Sequence, residues 1–130
     1  MYYFYVALFG AIGAGARYWI SITLEVENFA YNTLLINVLG CFFLAITIKY
    51  LATLPNLSKP FINGLGTGLI GAFTTFSTFS VQTSNLILNG NYLTALFYVL
   101  SSIVGGFLSA ALGVYISNRL IARRELKKDV

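Results

Sequence analysis

Residues 64–80 read Gly-Leu-Gly-Thr-Gly-Leu-Ile-Gly-Ala-Phe-Thr-Thr-Phe-Ser-Thr-Phe-Ser, inside a stretch from Pro60 to Asn118 without a single charged residue. An uncharged apolar run beyond about 18 residues is a candidate membrane span. This run is interrupted by four glycines, followed by a block of β-branched and hydroxyl residues, and both weaken a helix. Irregular backbone at membrane depth is tolerated only where protein or a water-filled cavity covers it. The stretch therefore predicts a membrane-crossing segment broken near mid-membrane and built around something polar.

Working outward, four apolar segments cover about 2–22, 31–52, 60–88 and 92–121. They make residues 1–130 a single four-helix transmembrane domain. Short polar connections, Glu25 to Asn28, Pro55 to Lys59 and Asn89 to Asn91, separate them. The third and fourth segments exceed the ~20 residues that a bilayer needs, so they tilt, project or break. A cleaved leader is not expected from the first, because no Lys or Arg precedes it and three more spans follow. The chain is 58% hydrophobic and 9% charged, against roughly 25% charged in a soluble domain.

Several chemistries are excluded at once. With no histidine and one cysteine, neither a transition-metal cluster nor a His-based triad can be assembled, and no nucleophile–base pair is visible. Cys41, beside Gly40, reads as a small packing residue. The net charge of +4 is concentrated in the C-terminal tail, which suits a lipid bilayer surface and not a nucleic acid.

Of the eight Lys and Arg residues, all but Arg17 flank the second connection or follow the fourth segment. The positive-inside rule then places both termini in the cytoplasm of a multi-pass protein. Arg17 is the one charge well inside a predicted span, and such a residue is a functional candidate that could also snorkel to the interface. Asn37 lies mid-span on a face with Thr33 and Gly40. Its amide fits either an interhelical hydrogen bond or contact with a passing anion. Phe73, Phe76 and Phe79 recur every three residues among hydroxyls. Ring edges are electropositive and hydroxyls donate hydrogen bonds, so the run suits an anion without any formal positive charge. Small residues at spacings of three and four, from Tyr98 through Ser101, Ser102, Gly105, Gly106 and Ser109 to Gly113, mark a helix-packing stripe. Gly10, Gly13, Ala14 and Arg17 form another.

Taken together, Gly10 to Tyr18, Thr33-Leu34-Leu35-Ile36-Asn37-Val38-Leu39-Gly40 and Gly68 to Phe79 resemble the motifs of the Fluc (CrcB) fluoride channels, over essentially the whole chain. The resemblance implies a fluoride-selective channel of the plasma membrane that lets fluoride leave the cell passively and so relieves its toxicity. It also implies an antiparallel dimer with two pores and a central structural sodium ion (Na+). By position, Asn37 would contact fluoride, and Phe76 and Phe79 would turn their ring edges to it. Ser77 and Thr78 would extend a hydroxyl track. Gly71 and Thr74 would give carbonyls to sodium, and Thr33 and Arg17 would lie at the vestibule. Tyr98 and Ser102 would be the fourth-segment pore residues.

The one-sided charge suits a subunit of fixed orientation better than one inserting both ways. The mate in an antiparallel dimer is an oppositely oriented paralogue if the orientation is fixed, and a second copy of this chain if it inserts both ways. Two other readings compete. A four-helix proton-coupled multidrug exporter needs a membrane-embedded carboxylate, and none of the four acidic residues lies in a span. A non-conducting assembly subunit would explain the glycines but not the Phe and hydroxyl run.

Overall fold

The computed structural model describes residues 1–23 and 31–127. The acidic Glu25 and Glu27 of the first connection, and Lys128 and Asp129 of the tail, lie outside the described residues. Among the described residues every regular element is helical. Helix α1 spans Tyr2–Thr23 and α2 spans Tyr31–Lys49, with a short 3₁₀ turn at Leu51–Thr53. The third crossing begins as α3, Lys59–Asn63, where Ser58 Oγ accepts from the Phe61 amide and a proline sits in the first turn, as helix starts prefer. It widens into a π-helical stretch, Gly64–Ile70, and ends in the single turn α4, Gly71–Phe73. After two extended residues it resumes as α5, Phe76–Leu88. Gly90, at φ +76°, turns the chain into α6, Tyr92–Leu126.

The expected break is present, and it falls at the start of the hydroxyl block that follows the glycines. Thr74 (φ −76°, ψ 158°) and Thr75 (φ −147°, ψ 121°) leave the helical region, while the glycines upstream stay helical in the wider π geometry. The glycines serve close approach. A Cβ on Gly68 would lie 2.7 Å from the Val6 carbonyl oxygen, and one on Gly13 would run into the Leu69 carbonyl. Helix α1 thus lies backbone-to-backbone on the π-helical stretch. Helices α2 and α6 meet in the same way at Gly113, where a Cβ would come 2.8 Å from the Phe42 carbonyl oxygen. One turn away, Ser109 Oγ donates to the Val38 carbonyl at 2.7 Å. Close backbone contact supplies the association that lipid, being equally apolar, does not drive. Ser101, placed on this stripe by spacing, is exposed.

Three helices, Tyr2–Thr23, Tyr31–Thr53 and Tyr92–Leu126, are long and apolar enough to cross a membrane, and the third crossing is divided by its break. Apolar side chains such as Trp19 (66% exposed) and Phe107 (73%) face outward, as lipid contact permits. This is a membrane protein of four crossings.

The ends of the bundle are ordered by contacts. Phe61 packs on Tyr5 and Phe9 at centroid distances of 5.8 and 5.3 Å. Arg124 Nη1 donates to the Thr53 carbonyl at 3.2 Å. The N-terminus, the second connection and the end of α6 therefore share one end, and Lys49, Lys59 and the α6 arginines gather there. Helix α6 continues to Leu126, past the expected end near 121. At ~1.5 Å per residue, its 35 residues outrun a hydrocarbon core of ~30 Å.

Candidate functional site

The site is organised by the break. In an unbroken helix the Thr75 amide would donate to the Gly71 carbonyl. Here it donates to Asn37 Oδ1 at 2.9 Å, and Asn37 Nδ2 donates back to the Thr75 carbonyl at 3.0 Å. The mid-membrane amide of α2 thus pairs with the exposed backbone as a neighbouring strand would. Both possibilities raised by Asn37 persist: it is interhelical glue, yet its nitrogen carries a second N–H and its side chain lines an open groove.

Thr75, buried, caps α5. Its Oγ1 accepts from the Thr78 amide at 3.2 Å and lies 3.0 Å from Thr78 Oγ1 and 3.3 Å from Ser77 Oγ. The hydroxyls of Ser77 and Thr78 are therefore joined through Thr75, with Ser77 exposed and Thr78 half-buried. Replacing Thr75 by Val keeps the shape and removes the hub. Loss of such a cap costs about 0.5–2 kcal/mol. The expected result is a melting temperature lowered by a few degrees together with a several-fold loss of ion flux, read by thermal unfolding in detergent and by efflux from liposomes.

The groove has a volume of about 390 Å³ and opens on the surface of the protein between α2, α6 and the third crossing. Asn37, Phe76, Phe79 and Ser102 line it together with Gly71, Thr74 and Thr75. Phe76, 80% exposed, lies 5.9 Å from Phe79, centroid to centroid. Ser102 Oγ is turned to the carbonyl one turn back, that of Tyr98, at 2.7 Å. Behind the groove, Tyr98 is fully buried with its ring 5.2 Å from that of Phe79. Its hydroxyl donates to Gln82 Oε1 at 2.9 Å and hydrogen-bonds Thr33. Thr33 and Tyr98 thus form one buried unit. Arg17 stands apart from the groove lining; its Nε is buried with no hydrogen-bond partner among the described residues.

Gly71 and Thr74 fit a hard monovalent cation by donor type. The diverted Thr75 amide leaves the Gly71 carbonyl without its helical partner. The turn ends with the Thr74 amide on the Ile70 carbonyl at 2.9 Å. Carbonyl oxygens released at a helix break, beside an open groove, are the ligands such an ion takes.

Two participants escape the motif-level reading. Thr75 carries the clamp and the cap, and the signal for it was its place as the second of two threonines ahead of a helical Phe-x-x-Phe repeat. Gln82 continues the spacing of Phe76 and Phe79 by another three residues, and it holds Tyr98.

Fold and site define a small helical membrane protein with a polar and aromatic groove at mid-membrane, the construction of a channel. The chain belongs to the CrcB family: the family model for CrcB-like protein, Camphor Resistance (CrcB), matches residues 4–114. It is 45% identical over 125 residues to a protein of Listeria monocytogenes named fluoride-specific ion channel FluC 2, covering 96% of this chain and 97% of that one. It is 42% identical over 130 residues to the fluoride-specific ion channel FluC 1 of Bacillus cereus, covering 98% and 90%.

Proposed function

We propose that this chain is a fluoride-specific ion channel of the plasma membrane, carrying fluoride passively out of the cell. The observation that supports it most is the groove at the break, where Asn37, Phe76, Phe79 and the neighbouring hydroxyls converge with no full charge. Fluoride holds its water tightly, so a pore must replace that shell with many donors. Amide, hydroxyl and ring-edge groups do so while letting the ion leave again. The relatives just described are named as channels of this specificity, and as channels they are not enzymes.

One subunit supplies only part of a pore wall, with Phe76 largely uncovered. The reading is completed by a second subunit, antiparallel to the first, giving two pores. The gathering of cations at one end fits a fixed orientation with both termini cytoplasmic, and so favours an oppositely oriented paralogue over a second copy as the mate. Gly71 and Thr74 would hold a sodium ion at the junction of subunits. When bound, such an ion supplies positive potential and ties the broken helices together.

The test is fluoride efflux from liposomes containing the purified protein, alone and with a candidate partner chain, with chloride as control. Selective fluoride efflux is expected. Its absence in both preparations overturns the reading. Phe76→Ile keeps the bulk and removes the ring edge, and it should lower fluoride flux at least tenfold while leaving assembly intact on size exclusion.

A further inference from the structure

The uncharged part of α6, Tyr92 to Asn118, is already long enough to reach through a bilayer's hydrocarbon core into its headgroup layer at ~1.5 Å per residue. The next turns therefore emerge at headgroup depth. There Tyr115, Arg119, Arg123 and Lys127 follow one another at intervals of four, all exposed. Like charges one turn apart repel each other on a helix, yet α6 continues unbroken to Leu126.

Among the described residues these cations meet no carboxylate partner. Arg119 Nη2 donates to the Tyr115 hydroxyl at 2.9 Å, and its guanidinium lies 5.3 Å from the centre of that ring. Arg124, on the adjoining side, donates to the Thr53 carbonyl. Both partners are neutral, and among the described residues Glu125 is the only carboxylate. Arg119 is thus held in place by a neutral partner, and the remaining N–H groups of its guanidinium can donate to a phosphate.

We infer that this face of α6, from Tyr115 to Lys127, is a docking site for the headgroup of an anionic phospholipid. The tyrosine sits at the interface as aromatic belts do, and the three cations above it take the phosphate in the manner of a juxtamembrane basic cluster. The inference does not depend on which ion the groove conducts, and its test measures no ion flux.

The test uses the full-length protein purified in detergent, titrated separately with phosphatidylglycerol, phosphatidylcholine and inorganic phosphate. Melting temperature and the lipid retained on the intact protein in native mass spectrometry are read. Phosphatidylglycerol should raise the melting temperature by several degrees and remain bound, whereas phosphatidylcholine should do neither. The triple variant R119Q/R123Q/K127Q should lose most of the rise, while K59Q, at the same end but off this face, should keep it. If the triple variant does not fold, R123Q alone should retain several-fold less phosphatidylglycerol than the native chain. Equal stabilisation by both lipids, or undiminished retention in the α6 variants, overturns the proposal. An equal rise with inorganic phosphate at matched concentration also overturns it, by making the ligand a free anion.

Discussion

Asn37→Asp should reduce fluoride efflux by two to three orders of magnitude with the protein still assembled. A carboxylate at this position accepts hydrogen bonds but donates none. It can still receive the Thr75 amide, now donated at 2.9 Å, but it leaves the Thr75 carbonyl without its donor at 3.0 Å. It also sets a negative charge in the groove. Two like charges about 4 Å apart near a protein surface repel by about 4 kcal/mol, and each ~1.4 kcal/mol is tenfold. Asn37→Ser separates the two effects, because it weakens the clamp without adding charge, and its loss should stay near tenfold. Both are measured with a fluoride electrode on liposomes matched for protein content. An Asp variant within threefold of the native flux would show that the ion does not pass beside Asn37.

The second large effect is structural. Gly13→Val should abolish the folded species, seen as loss of the monodisperse peak on size exclusion and of a cooperative melt. The added Cβ would collide with the Leu69 carbonyl oxygen and stand 2.9 Å from its carbon. Those atoms are backbone and cannot rotate aside. Overpacking of this kind costs about 1–3 kcal/mol or more. Here relief requires α1 to lift from the third crossing over its whole contact. Gly15→Ala on the same helix, with nothing within 4 Å of the new atom, should leave melting and assembly unchanged. Equal damage from both would mean that the close contact with Leu69 is not what sets the tolerance of α1, since Ala and Val both favour helix over Gly.

The contrast between these two glycines shows what a sequence can and cannot disclose. Both sit in one glycine- and alanine-rich stretch, and spacing alone put Gly13 on the packing face. The severity of its contact depends on how closely α1 lies on the π-helical stretch Gly64–Ile70, which is a matter of tertiary packing. The break was legible as an event, and its place only to within the glycines and the hydroxyl block after them. Propensity weakens both stretches, and the break settles where Asn37 offers the Thr75 backbone a partner in place of the next turn. Asn37, Phe76 and Phe79 stood out because an amide and an aromatic repeat are conspicuous in an apolar chain. Gln82 did not, since its meaning lies in Tyr98, 16 residues on and brought back by the turn at Gly90. The end of α6 was placed early because arginines suggest a boundary, although Arg, Glu and Leu all favour continued helix.

The reciprocal pair between Asn37 and Thr75 bears on the kinetics of conduction. A backbone interruption is where a helix would ordinarily flex, and flexing there would make a gate. Two hydrogen bonds from a side chain seated in the middle of α2 fasten this joint to a rigid post. The broken segment then has no free hinge of its own, so single-channel records should show long, steady openings. Any closure would have to move the third crossing together with α2.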